Sequence, residues 1–302
     1  MTLLRSLLRF VTITALLSAN AARADDASAA VLRARALQVL QHELATTSGW
    51  IRVHAAEALI EHGHHEGILD RFKPDLATAR PPDRIGVWRV LAKVSAPAER
   101  TRYLEYLRAA LRDPNGPDRV HAAESLAKLD AVSPRERPAI ESWLVTADPA
   151  IAAYLRWLVV QLSDSDLRAD AERDLASLLR EPAAAARRRA AYAFTRLERV
   201  SSTTKAALHE AAAKEPSHSP VRAYLLVAAL IHSPTNDPRR MQHITNLRTY
   251  LERGSVAEQF EVAAMLGRAR DRTSLPTLVR LLTAPDSDTR IGAASGLLHL
   301  LR

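Results

Sequence analysis

Cysteine is absent from this 302-residue chain, which excludes disulfides and a lipid-anchored cysteine. Glycine is scarce, with nine residues, and aromatics make up only 5% of the chain. A core must therefore be built from alanine, leucine and valine. No stretch alternates apolar and polar residues with period two over a useful length, so strands are not expected. No apolar run reaches the ~20 residues that a membrane-spanning helix needs. What is present is 47% hydrophobic residues, enough for a sizeable core and against disorder. An excess of alanine and leucine with few glycines predicts an all-α chain.

Lysine is also rare: five lysines stand against 37 arginines, and the formal net charge is +8. Part of that charge belongs to the first residues, which read as a cleaved signal peptide over 1–24. Arg5 and Arg9 make a basic start, Phe10 to Ala19 is apolar, and Ala22-Arg23-Ala24 fits a small-x-small cleavage site. The remaining 25–302 carries 39 basic and 34 acidic residues. That mild balance predicts solvated helix faces and no nucleic-acid partner.

Self-comparison reveals a repeat. Arg52-Val53-His54-Ala55-Ala56-Glu57-Ala58-Leu59 recurs as Arg119-Val120-His121-Ala122-Ala123-Glu124-Ser125-Leu126. Arg52, Arg84, Arg119, Ala150, Arg187, Arg222, Gln259 and Arg290 anchor eight units, at steps that average about 34 residues. Each unit reads as a helical hairpin. Ile51, Ala55, Ala58 and Leu59 form one apolar stripe, and Tyr103, Leu104, Leu107 and Leu111 another. Ser133 to Glu136 spells a capping box, and Asp148-Pro149, Ser219-Pro220 and Asp237-Pro238 are further helix starts. Mid-helix alanine pairs such as Ala122-Ala123 and Ala293-Ala294 would let helices approach closely. Hairpins that bury their faces only against their neighbours would make a curved rod with no enclosed chamber.

Asp113-Pro114 through Leu126, Pro285-Asp286-Ser287-Asp288-Thr289-Arg290 through Leu297, and Ile51-Arg52 through Leu59 resemble the short HEAT-like repeats first noted in phycobilisome lyases. The resemblance runs over roughly residues 30–302. It implies a right-handed α-α superhelix, an armadillo-type solenoid of about eight hairpins. It also implies that Arg52, Arg84, Arg119, Arg222 and Arg290 make inter-repeat ion pairs with loop aspartates. The tetratricopeptide and ankyrin signatures are missing.

No residue set rises to a catalytic site, and no cofactor is implied. Glu61, His62, His64, His65 and Glu66 could ligate a divalent metal, or form a solvated turn capped by Gly63. Deoxyhypusine hydroxylases, related HEAT-like enzymes, look built around His-Glu dipeptides. His42-Glu43, His65-Glu66 and His209-Glu210 depart from that pattern by falling at non-equivalent points of their units. Arg187, Arg188 and Arg189 could form an anion patch or a solvated face.

If the second helices line the concave side, as in HEAT-like stacks, then Trp50, Arg52, His54, Trp88, Arg89, Arg119 and His121 form the expected partner surface. The expected function is a non-catalytic, periplasmic or secreted scaffold that binds another protein there. Alternatives are a metal-dependent activity using the His/Glu sets, or an accessory subunit. In the latter, Gly296 to Arg302, leucine-rich and lacking a polar cap, would dock on a partner or a second copy.

Overall fold

A computed structural model describes residues 27–302, and the expected leader over 1–24 lies outside them. The described residues are helical with no strand, and no helix among them is long and apolar enough to cross a membrane. A first helix, α1, covers 27–46. It is followed by α2 (Gly49–Glu61), the short α3 (Ile68–Phe72) and α4 (Asp75–Thr78), α5 (Asp83–Val94), α6 (Pro97–Arg112), α7 (Arg119–Lys128), α8 (Arg137–Leu144) and α9 (Pro149–Leu162). Then come α10 (Ser165–Ser177), α11 (Ala184–Arg196), α12 (Ser202–Lys214), α13 (Arg222–His232), α14 (Arg239–Arg253), α15 (Val256–Arg268), α16 (Leu275–Leu281) and α17 (Ser287–Leu300).

Local chemistry sets these boundaries. Ser133 with Glu136 and Ser255 with Glu258 form capping boxes. Asp164, Ser201 and Asp286 each accept a hydrogen bond from the backbone N–H three residues on. Asp130 and Arg270 take up left-handed backbone at the ends of α7 and α15, where a helix C-cap needs positive φ.

Eight of the helices form an inner layer. Helices α2, α5, α7, α9, α11, α13, α15 and α17 each pack on the next in this order, and every one carries a single repeat anchor. The mid-helix alanines make this spacing possible: Ala55, Ala56, Ala122, Ala123, Ala190, Ala191, Ala263, Ala293 and Ala294 are all fully buried. The other long helices pack on them from outside. Arg84 reaches Asp118 (Nε–Oδ2 2.6 Å) and Arg52 reaches Asp75 (2.8 Å), each joining one hairpin to the next. Arg119 and Arg222 instead donate to the carbonyls of Leu111 and Glu215, so the ion pair expected of them is replaced by a helix-end carbonyl.

The open rod expected from the repeat is not what forms. Helix α17 packs back on α2, and the layer closes into a ring. Arg290 Nε donates to Glu43 at 2.7 Å, repeating on the first hairpin the contact that other anchors make on the following one. His54 Nδ1 lies 2.8 Å from Asp288, His299 Nε2 3.1 Å from Glu61, and Arg268 also pairs with Glu61. The leucines expected to form an exposed docking end are covered by this closure: Leu297, Leu298 and Leu300 are 0–5% exposed. They carry no free surface for self-association. Their cap is the chain's own first hairpin, with Arg33 donating to the Leu301 carbonyl.

The seam contains a pH-sensitive contact. Arg302 donates to His62 Nδ1 (2.8 Å), and His62 Nε2 faces Ser295 Oγ at 3.3 Å, so the ring is neutral as bonded. Burial, then the adjoining His299 and the Arg302 and Arg268 charges, push His62 down to about 4, with Glu61 opposing them. An opened or unfolded chain would protonate His62 near 6.5. Stability is therefore complete above that value and falls as pH drops from about 6.5 towards 4, where the freed imidazole binds a proton that the seam refuses. Because His62 is only partly buried, the loss is expected to be about 1–2 kcal/mol. Thermal melts at pH 7 and 4.5 should show it, and His62→Gln should shrink the difference; an equal pH dependence in the variant would refute the assignment.

Candidate functional site

The ring encloses a cavity of about 1350 Å³, open to solvent and lined by all eight inner helices. Which residues face it follows from helical phase. Counting from each repeat anchor, the fifth residue on reaches the cavity in six units: Glu57, Glu124, Tyr192, Val227, Ala264 and Ser295. One turn later, so do Glu61, Lys93, Lys128, Arg196, Ile231 and Arg268. The arginine and glutamine anchors do not line the cavity and reach instead to neighbouring loops and carbonyls.

On one side of the wall the charges neutralise one another. Arg89, 1% exposed, holds Glu57 with two hydrogen bonds (2.9 and 3.0 Å) and donates a third to Ser125 (2.9 Å). Lys93 (3.1 Å) and Lys128 (3.8 Å) add to Glu57, and Lys128 also pairs with Glu124 (3.1 Å). Burial pushes Glu57 up, but Arg89, Lys128 and Lys93 outweigh it and hold the carboxyl well below its usual range. Glu124 is likewise held low: burial opposes, and Lys128, His121 and Arg89 win. Arg196 faces Glu261 at 3.5 Å and lies over the Tyr192 ring, 4.9 Å from its centre.

The adjoining stretch of wall differs. Tyr154 on α9, Tyr192 on α11 and Tyr224 on α13 are 7–9% exposed, and their hydroxyls make no hydrogen bond among the described residues. Burial raises all three phenols above their ordinary value, so they are neutral donors. Arg188 lies over Tyr224 (5.9 Å) and, with Arg189, lines the cavity without a carboxylate in ion-pair range among the described residues. Arg187, by contrast, turns to Glu215 (2.9 Å). The three-arginine run is thus split by helical phase, one outward and two inward.

The residues expected to form a partner surface scatter. Trp50, His121 and Arg89 do come together: the Trp50 ring is 5.3 Å from His121, and Arg89 stacks on it at 5.4 Å. Arg89 is buried in the ion network. Trp88 packs on Tyr106, Arg52 is tied to Asp75 and the Thr47 carbonyl, and Arg119 lies over Trp143. His54 alone among them borders the cavity, held between Asp288 and the Phe260 ring. Sequence reasoning missed the tyrosines, whose shared wall requires the phase of three helices. Its one signal for this wall was the arginine run.

Among the described residues no group of three or more His, Asp or Glu side chains is arranged to hold a metal ion. Glu61 and His62 of the histidine-rich turn are taken up by the seam. The His-Glu dipeptides do not converge: Glu43 serves Arg290, Glu210 serves Lys214, and His209 stacks on His243 with Nδ1–Nε2 at 3.0 Å. No protein-family model matches this chain, and no curated protein shows a similarity from which a function could be read.

Proposed function

We propose that the protein is an exported, non-catalytic binding scaffold, a HEAT-like α-α superhelix closed on itself, which takes an extended segment of a partner protein into its ring. The observation that carries this reading is the convergence of all eight repeat units on a single cavity. The HEAT-like resemblance is supported by contacts one repeat apart: Arg84 to Asp118 and Gln161 to the Ala127 carbonyl are both 34 residues apart. A cavity of about 1350 Å³ exceeds the roughly 300–1,000 Å³ usual for small-molecule sites. It is too small for a folded domain, which leaves an extended chain.

The non-catalytic part rests on the state of the acids. The four inner-helix acids Glu57, Glu124, Glu261 and Glu61 are each engaged by cations, so none of these four is a free general base.

Ala264 lines the cavity and offers a way to fill it. Ala264→Trp, in protein recovered from the periplasmic fraction and expected to begin at Asp25, should leave the melting temperature within about 3 °C of the parent. It should weaken capture of unstructured peptides from a random library at least about tenfold. Undiminished capture by the filled ring would move binding to the outer surface and end this reading.

A further inference from the structure

Resting on the lumen reading above, we infer that the captured segment is acidic, its carboxylates held by Arg188 and Arg189 with donation from the Tyr154, Tyr192 and Tyr224 hydroxyls.

The cavity wall is unevenly satisfied. Lys93, Lys128, Arg196 and Arg268 each have a carboxylate within 4 Å, whereas Arg188 and Arg189 have none among the described residues. Over the whole lining eight cations stand against eight carboxylates, so the imbalance is local: it lies where Arg188 and Arg189, unpaired among the described residues, share a concave surface with Tyr192 and Tyr224. Low-dielectric walls focus such a field and favour an anionic guest.

The tyrosines supply the second half of the argument. Three hydroxyls on successive inner helices, with no protein partner among the described residues, are open to a ligand in the cavity beside the two guanidiniums. The indole N–H of Trp157, 1% exposed and on the same wall, also lacks a partner. Every one of these groups can donate, and a carboxylate only accepts, so these donors and the two unpaired guanidiniums select the same ligand. Arginine and tyrosine are also the side chains that most often carry interface energy.

The test uses fluorescence anisotropy of three labelled peptides of equal length on the full chain: one rich in Glu and Asp, one with Gln and Asn in their places, and one rich in Lys. The acidic peptide should bind at least about tenfold more tightly than the amide peptide, and more weakly as salt is raised. Arg188→Gln with Arg189→Gln should abolish that preference, and Tyr224→Phe should reduce it several-fold, both with unchanged circular dichroism. Equal binding of acidic and amide peptides, or an unaltered preference in the arginine variant, overturns the inference. If Ala264→Trp blocks capture while the arginine variant does not matter, the lumen reading survives and only the acidic ligand is lost. If Ala264→Trp has no effect either, both fall. Inorganic phosphate displacing the acidic peptide at equal concentration would make this an anion site for a small ligand and would also overturn the inference.

Discussion

Glu57→Gln is expected to destabilise the protein by about 3 kcal/mol, although the two side chains are nearly the same size. The reason lies in what remains. Arg89 is 1% exposed and would keep Ser125 and a single neutral amide oxygen in place of two carboxylate acceptors, with the new NH2 donor, Lys93 and Lys128 beside it. A buried guanidinium stripped of its carboxylate must either drag water inward or separate α2 from α5, and each alternative undoes packing between the first three hairpins. The double replacement Glu57→Leu with Arg89→Met removes both charges together and should recover much of the loss, because a paired buried ion is stabilising only relative to its half-broken state. Chemical denaturation of the single variants and the double variant gives the coupling directly. A Glu57→Gln variant within about 0.5 kcal/mol of the parent would mean that solvent already reaches Arg89, contrary to its burial here.

The hairpin architecture was legible because each unit must solve the same packing problem with its own residues. Alanines recur where inner helices touch, and proline or serine recurs where they start, so the eight anchors fall one to each inner helix. Closure was not legible. It depends on small rotations added over eight interfaces, and no residue announces their sum. The leucines of Gly296 to Leu301 were a true signal with two meanings: an apolar end needs a cover, which a second molecule or the first hairpin can supply equally well. Glu43, fully buried opposite Arg290, was the missing half of that clue.

The candidate site was legible in the same partial way. The anchors mark the eight helices that surround the cavity, but the anchor residues do not line it; the cavity belongs to positions five and nine residues further on. That is a turn of about 140° for the first of these on a helix of 3.6 residues per turn. The anchors' long side chains reach sideways to loop acids and carbonyls, while Glu57, Tyr192 and Arg196 take the inward face. Only the arginine run, at positions one and two after its anchor, gave a sequence clue to the polar wall.

Gly267→Val should be the most damaging small substitution in the ring. Helices α15 and α17 approach so closely that a Cβ on Gly267 would overlap the Gly296 carbonyl, with its carbon and Cα both 2.8 Å away. The contact is reciprocal along the pair: a Cβ on Gly292 would lie 2.6 Å from the Phe260 Cα, and one on Gly296 would meet the Ala263 backbone. Since the obstacles are backbone atoms, no side chain can rotate to relieve them, and the helices themselves must part. Ordinary overpacking costs about 1–3 kcal/mol. Here the cost should exceed that range, because α17 also carries Asp288 and Arg290 and would draw them away from His54 and Glu43. A melting temperature lowered by at least about 6 °C is expected, with spin labels at His65 and Ser287 reporting a broadened distance across the seam. Gly63→Val is the control, since its turn meets nothing within 4 Å and only its left-handed φ of 82° opposes a side chain. It should cost about 1–2 kcal/mol and leave the seam distance unchanged. Were Gly267→Val to melt with the parent, α15 and α17 could not lie this close, and the small residues would have to be explained by something other than the turn that closes the ring.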